Sequence, residues 1–403
     1  MRLGEVLKEP LKNGLNYRRE DFGFGTKFVN VSDIFCPAII DTKKLDRINL
    51  PLKDVEKYRL KTGDILIVRS SLKREGVAYP AIFVEDEEPV VFCGFLIRVR
   101  PDKKKTEPFY LLNYLRSSIA RERLVGDSDT VTITNVDQGT LLSLNIPLPP
   151  LEEQKRIAAK IQELMQDVER ARTACEKQLE AAKALPAAYL RGVFDSEKAK
   201  KLERKRLVEC LNILESGSRP KGCVFEIKEG IPSIGAEHLN SFGGFYLNNS
   251  RFIPIEFYQT MKRGKVQKKD VLVVKDGATT GKVSIVGDAF PYEKAAINEH
   301  VFRLRGERSL LKQEFLFWFL YSTTGQSQIQ QEFHGSAQGG INQKFVDGIS
   351  IPIPDLHTQQ RIASELKEKM ARVENLRTGI EKQLKAITTL PQSILRKAFR
   401  GEL

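Results

Sequence analysis

The sequence predicts an α+β / α/β protein built twice over. Two globular units, related by approximate two-fold symmetry, are separated by an antiparallel coiled coil of two long helices. Three observations carry this. Ile146 to Phe194 aligns with Ile351 to Phe399 at a constant offset of 205 without a gap, and 24 of the 49 pairs are identical. Each copy carries an apolar stripe at heptad-like spacing. The segments preceding the copies share strand and helix landmarks yet differ almost completely between them. A repeat this long means two copies of one structural unit, and its period is far too long for a solenoid.

The elements follow in order. The first unit, residues 1–145, opens on Arg2-Leu3-Gly4-Glu5-Val6-Leu7. The second, residues 200–350, answers with Arg206-Leu207-Val208-Glu209-Cys210-Leu211. Asp64 to Arg69 and Asp270 to Lys275 are matching buried-strand patterns. Arg98-Val99-Arg100 and Arg303-Leu304-Arg305 mark a second strand, and Tyr110–Leu115 and Phe315–Leu320 a packed helix. Residues 146–199 then form the first long helix with a linker, and residues 351–403 the second. The predicted seam comprises Ile157, Ile161, Leu164, Val168, Cys175 and Leu179, matched by Ile362, Leu366, Val373, Leu376, Ile380 and Leu384. Pro149 and Pro150 stand where the first helix begins, and Pro186 and Pro391 are expected to end or kink each helix. Thirty-five residues, 151–185, would make a rod of roughly 50 Å. Each stripe finds its partner in its own repeat, run antiparallel. That leaves an outer face with Glu152, Gln154, Arg156, Glu163, Arg172 and Lys177 for other proteins. The charged segment Asp195 to Arg206 reads as a solvated linker.

At 403 residues the chain has room for two to three domains. Apolar residues make up 41% and charged residues 29%, a globular balance. The net charge of +13 and pI near 9.4 favour a polyanionic partner, nucleic acid before membrane. Residues 151–194 hold eight Lys/Arg against seven Asp/Glu, so the excess resides in the globular units. The first residues contain no apolar run, and the most apolar stretch, Phe315 to Tyr321, is far short of a membrane span. Five cysteines form no Cys-x-x-Cys pair, and the four histidines all lie in the second half. The expectation is a reduced, cytoplasmic protein with neither disulfide framework nor metal site.

Pro-Leu-Pro-Pro-Leu-Glu-Glu-Gln-Lys-Arg-Ile (147–157), its partner at 352–362, and the ending Arg-Lys-Ala-Phe-Arg-Gly-Glu-Leu (396–403) resemble the specificity subunit of type I restriction–modification systems. The likeness spans essentially the whole chain: target-recognition domain, conserved helix, target-recognition domain, conserved helix. The second copy departs from the pattern with Asp355 for the last Pro and Thr358 for Glu, which is expected to weaken local capping. The resemblance implies a non-catalytic subunit that binds double-stranded DNA, each recognition domain reading one half of a bipartite target. The helices would set the half-site spacing and dock two modification (methyltransferase) subunits, with restriction (endonuclease/translocase) subunits joining. S-adenosylmethionine, ATP and magnesium would belong to those partners, which supply adenine-N6 methylation and ATP-dependent cleavage. The alternatives are the related subunit of a fused nuclease–methyltransferase system, or a two-headed scaffold for proteins. The scaffold is opposed by the charge.

The residues agree with a non-catalytic reading. An adenine methyltransferase needs Asn/Asp-Pro-Pro-Phe/Tyr, and Leu148-Pro149-Pro150-Leu151 lacks both ends of it. Phe22-Gly23-Phe24-Gly25 follows charged residues and no strand. Gly277-Ala-Thr-Thr-Gly281-Lys282-Val283 is one residue short of a phosphate loop and has Val in place of Ser/Thr. Its glycines suit a loop that donates backbone N–H groups to a DNA phosphate. DNA-binding candidates cluster at the strand ends. They are Arg69, Ser70, Ser71, Lys73 and Arg74 in the first unit, against Lys275, Asp276, Thr279, Thr280 and Lys282 in the second. A further pair of clusters is Ser128, Thr130, Thr132 and Asn135 against Ser336, Gln338, Asn342 and Gln343. Arg can read guanine and Asn or Gln adenine by paired hydrogen bonds. Lys262, Arg263, Lys265, Lys268 and Lys269 form a basic run suited to phosphates.

Overall fold

The Ile-Leu-Ile-Val run becomes the middle of a sheet. In the computed structural model, which describes residues 1–35, 38–71, 76–125, 134–220, 229–335 and 339–403, Ile65–Val68 lies between Leu96–Val99 and Pro80–Ile82. Lys12–Asn13 extends the sheet beyond Leu96–Val99, and all pairs are antiparallel. The second half repeats the order: Val271–Val274 lies between Val301–Gly306 and Val283–Ile285, with Leu211–Ser216 outermost. Every residue of Ile65–Val68 and Val271–Val274 is buried. A strand covered on both faces needs a continuous apolar run, not an alternating one. Each half adds a three-stranded sheet. Phe22–Val29 pairs antiparallel with Asp46–Ile48 and parallel with Val90–Phe92. Ile231–Ile234 does the same with Arg251–Ile253 and Ala296–Ile297. Among the described residues, mainly antiparallel sheets with one parallel strand pair in each half are the α+β form of the predicted class.

The long helices are Leu151–Phe194 and Leu356–Phe399, 44 residues each, or about 66 Å. Neither Pro186 nor Pro391 ends its helix, which excludes the first of the two expected outcomes. A mid-helix proline costs about 3 kcal/mol, and packing beyond it offsets that. Phe194 sits 5.5 Å from both Phe315 and Phe319. Phe399 sits 5.3 Å from Tyr110 and 5.1 Å from Tyr114.

The chain divides into two compact units through the middle of both helices. One comprises Met1–Glu176 with Lys382–Leu403, the other Lys177–Glu381. Each has its own core, and in each the start of one long helix meets the end of the other. In the first unit Ile161 packs with Leu395 and Ala398, and Cys175 approaches Gln383, so the helices run antiparallel there. In the second, Leu190 and Phe194 share a core with Ala363 and Leu366.

Of the predicted seam, Ile161, Leu366, Val373 and Ile380 are buried, and Ile157, Leu164, Val168, Cys175, Leu179, Ile362 and Leu384 half-buried. Leu376 is 47% exposed and leaves the seam. The stripe there runs Leu366, Met370, Val373, Arg377, Ile380. The Arg377 guanidinium lies 5.2 Å from the Phe242 ring centre and pairs with Glu374. An arginine stem can cover apolar surface as a leucine does, which hid the register.

Three further expectations change. Gln154 does not face outward; it is 1% exposed. Its side-chain oxygen accepts from the Thr106 hydroxyl and the Glu107 N–H, both at 3.0 Å, and its nitrogen donates to Pro149 O at 2.9 Å. Gln359 repeats this, accepting from the Lys312 N–H (2.8 Å) and donating to Leu310 O (2.9 Å) and Pro354 O (2.8 Å). The motif glutamine therefore ties each helix start to the turn before the packed helix, Pro108–Arg116 or Gln313–Tyr321. Asp355 strengthens capping instead of weakening it. Its carboxylate accepts from the Thr358 N–H (2.9 Å) and hydroxyl (2.7 Å). Asp195 to Arg206 is no free linker. Ser196 caps the Glu197–Lys200 helix, and Arg204–Arg206 pairs with Ser350–Pro352. Backbone pairing needs no apolar side chain, so the charge run concealed it. Among the described residues no helix is long and apolar enough to cross a membrane.

Candidate nucleic-acid interface

Not every repeated cation faces outward. Arg98 and Arg100 are 3% and 6% exposed. Arg100 grips Asp64 with two bonds of 2.7 and 2.6 Å, and Glu9 joins both arginines. Burial alone would raise the Glu9 carboxyl, but Arg100 and Arg98 hold it below the usual range. The second unit repeats the layer with Asp270, Arg303, Arg305 and Glu215. These repeated Asp and Arg residues are framework. A buried pair broken on one side costs about 3–5 kcal/mol, and that accounts for both copies.

Beyond the strand ends the backbone repeats while the side chains change. Arg69 N donates to Phe95 O and Val136 N to Arg69 O, each at 2.8 Å. Lys275 N donates to His300 O and Ile341 N to Lys275 O, again at 2.8 Å. Arg69 and Lys275 thus occupy one position of a common frame, both half-buried. Ser70–Ser71 pairs with Thr134–Asn135, bringing Ser70, Ser71 and the exposed Asn135 together. In the second unit Asp276 bridges to Gly340, one turn from the exposed Asn342 and Gln343. Asn342 accepts the Lys344 N–H at 2.7 Å.

The Gly277–Lys282 loop is a hairpin turn. Gly277 and Gly281 have φ of +89° and +84°, the left-handed region that favours glycine. The amides of Thr280, Gly281 and Lys282 bond to Gly277 O, Val274 O and Thr279 O. Those three N–H groups close the turn, so a phosphate contact at this loop would fall to the amides of Gly277, Ala278 and Thr279. Lys282 donates to Leu239 O (3.0 Å) and the Thr280 hydroxyl to Gly277 O (2.7 Å). Thr279 is exposed, and with Thr280 and Lys282 it lines an open groove of about 540 Å³ against Lys183 and Pro186. Lys73, Arg74, Ser128, Thr130, Thr132, Ser336 and Gln338 lie outside the described residues. The basic run is partly neutralised. Lys268 pairs with Asp288, Lys269 with Glu314 at 2.7 Å, and Lys265 lies over the Tyr258 ring.

Sequence reasoning missed Arg219, Glu299 and His300, which gather around Asp276. It also missed Phe95, 52% exposed at the place His300 holds in the second unit. The duplicated frame carried a signal for them, because residues aligned with a site in one copy belong to the site in the other. Among the described residues no group of three or more His, Cys, Asp or Glu is placed to hold a metal, and Cys93, Cys175 and Cys210 are free thiols.

The type I restriction modification DNA specificity domain matches twice, over residues 2–180 and 199–386. The type I restriction enzyme EcoBI specificity subunit of Escherichia coli is 30% identical over 331 residues, covering 76% of this chain and 68% of that protein. The solved HsdS subunit from Thermoanaerobacter tengcongensis superimposes with a TM-score of 0.69 at 22% identity, over 100% of this chain and 96% of that one. A chain of a solved type I R-M system gives a TM-score of 0.73 at 22% identity, over 100% and 97%. At that identity the structures speak for the fold. The two domain matches, covering nearly the whole length, establish that the chain belongs to the type I restriction–modification DNA specificity family.

Proposed function

We propose that this protein is the sequence-specific DNA-binding subunit of a type I restriction–modification enzyme. Each unit reads one half of a bipartite double-stranded target. The two long helices set the half-site gap and dock two modification subunits, and restriction subunits complete the assembly. The subunit itself is non-catalytic; S-adenosylmethionine, ATP and magnesium serve the partners. The observation that carries this reading is the matched pair Arg69 and Lys275. One backbone frame presents a cation at the same place twice, and the side chains around it differ. Two different half-sites call for that arrangement. The net charge of +13 supplies attraction to phosphates.

The test uses the chain assembled with its modification subunits and the sequence that complex methylates. If six to ten phosphates are neutralised, affinity should fall about 10³–10⁵-fold between roughly 50 and 200 mM salt. Arg69→Ala and Lys275→Ala should each cost about 1–3 kcal/mol and relax preference in opposite half-sites. A flat salt response, or relaxation of both half-sites by one substitution, would refute the reading.

A further inference from the structure

In the first unit an apolar ring stands where the second unit has a hydrogen-bonded imidazole. Phe95 is 52% exposed, and among the described residues its ring pairs with no other ring. Its backbone is nonetheless fixed. Leu96 N donates to Cys93 O at 3.0 Å, closing a β-turn with Gly94 and Phe95 at its centre. Gly94 N donates to Leu15 O and Arg69 N to Phe95 O, each at 2.8 Å. A Cβ at Gly94 would lie 2.4 Å from Asn16 Oδ1, so glycine lets the exposed Asn16 close over the turn. The ring therefore projects from a backbone that is already held, and a ligand has little left to order.

The same turn recurs in the second unit with different chemistry. Val301 N donates to Asn298 O at 3.4 Å and Lys275 N to His300 O at 2.8 Å, which puts His300 at the place of Phe95. His300 Nδ1 lies 2.5 Å from Asp276 Oδ1, whereas the first unit has Ser70 at the place of Asp276. The framework repeats its residues: Asp64, Arg98 and Arg100 return as Asp270, Arg303 and Arg305. This position repeats its backbone and reverses its polarity. A single exposed apolar residue is ordinary on a protein surface. One that adjoins Arg69, where two units reading different half-sites have to differ, has a narrower explanation.

We propose that Phe95 reads a thymine in the first unit's half-site through the C5-methyl group of the base. The proposal rests on the DNA-binding reading above and names the base. A phenyl ring carries neither charge nor polar hydrogen, so it contributes nothing to phosphate binding. In the major groove the edges of guanine, cytosine and adenine offer hydrogen-bonding atoms, and thymine adds the methyl. That methyl is the group an apolar side chain can select. Another base there would set polar edge atoms against the ring and leave them unpaired. About half of the ring's surface is already covered, which suits contact in a groove better than insertion between base pairs, the mode of apolar wedges. Among the described residues the Arg69 side chain has no ion pair or hydrogen bond, so its donors stay open for a neighbouring base.

The experiment measures binding of the assembled complex to its methylated target with one thymine at a time replaced by uracil. The exchange removes the methyl and keeps every hydrogen-bonding atom of the edge. The wild type should bind about 3- to 10-fold more weakly when one particular thymine of one half-site is replaced. Phe95→Ala should bind the thymine and uracil duplexes alike at that position and keep the base preferences of the other half-site. Phe95→His, the residue this turn already carries in the second unit, should abolish the uracil penalty too; it decides the matter if Phe95→Ala does not fold. The proposal is overturned if no thymine gives a penalty in the wild type, or if the penalty persists in these variants. A weakening equal on thymine and uracil duplexes would make the ring a wedge or a packing group. Arg69→Ala, run alongside, separates the two failures. If it relaxes one half-site while the uracil penalty survives at Phe95, only this assignment falls; if neither residue matters for binding, the reading face itself is misplaced.

Discussion

Gln359→Leu should destabilise the second unit severely while leaving its apolar packing nearly unchanged. The glutamine is 0% exposed and serves three backbone groups: the Lys312 N–H and the carbonyls of Leu310 and Pro354. Leucine has similar volume and serves none of them. Each buried polar group left without a partner costs about 1–3 kcal/mol, and partial rehydration at the half-buried Leu310–Lys312 turn lowers the sum to about 3–6 kcal/mol. For a unit of this size that lowers the melting midpoint by roughly 6–24 °C. The assay is built into the sequence. Trp318 is the one tryptophan of the chain, it is 9% exposed, and it lies in the helix whose start Gln359 holds. Its fluorescence reports unfolding of the second unit during urea titration. Gln360→Ala, at an exposed neighbour, should stay within about 0.5 kcal/mol. If Gln359→Leu costs less than about 1 kcal/mol, the glutamine is not the anchor that the geometry implies.

Two further outcomes follow from the packing and the ion pairs. Phe194→Ala, which empties the slot between Phe315 and Phe319 and removes packing beyond Pro186, should cost about 3–5 kcal/mol in the same fluorescence assay; a loss under about 1 kcal/mol would show that the helix end is not held there. Asp86 is held down to about 2 by the Lys27 ammonium, 2.8 Å from both its oxygens, and by Thr42. Its folded value lies below the unfolded one of about 3.8, so its stabilisation is present above that value and disappears as pH falls towards 2. Wild type should therefore lose about 1–2 kcal/mol over that window and Lys27→Met, which keeps the Thr42 bond, distinctly less, measured as the difference between their acid stability curves.

The duplication, the central strands and the long helices were legible because each is written in local pattern. A strand buried on both faces shows as Ile65–Val68 and again as Val271–Val274. A helix shows as an apolar stripe, and an alignment at constant offset needs no coordinates. That local reading also placed Arg69 and Lys275 at equivalent strand ends. What it could not decide was which polar groups turn inward and which partners they meet. Gln154 looked like any helix-surface residue, yet it meets Thr106, 48 residues away. Arg377 displaced Leu376 from the seam because Phe242, distant in sequence, offered its ring. Pro186 and Pro391 carried a correct local penalty, and Phe194 and Phe399 overrode it through contacts more than 100 residues away. The cluster at Arg219 formed only when the sheet brought residues 80 apart within hydrogen-bond reach. Periodicity records which face of an element is apolar. The fate of a polar side chain depends on the hydrogen-bond partners that folding delivers to it, and only the tertiary structure supplies those.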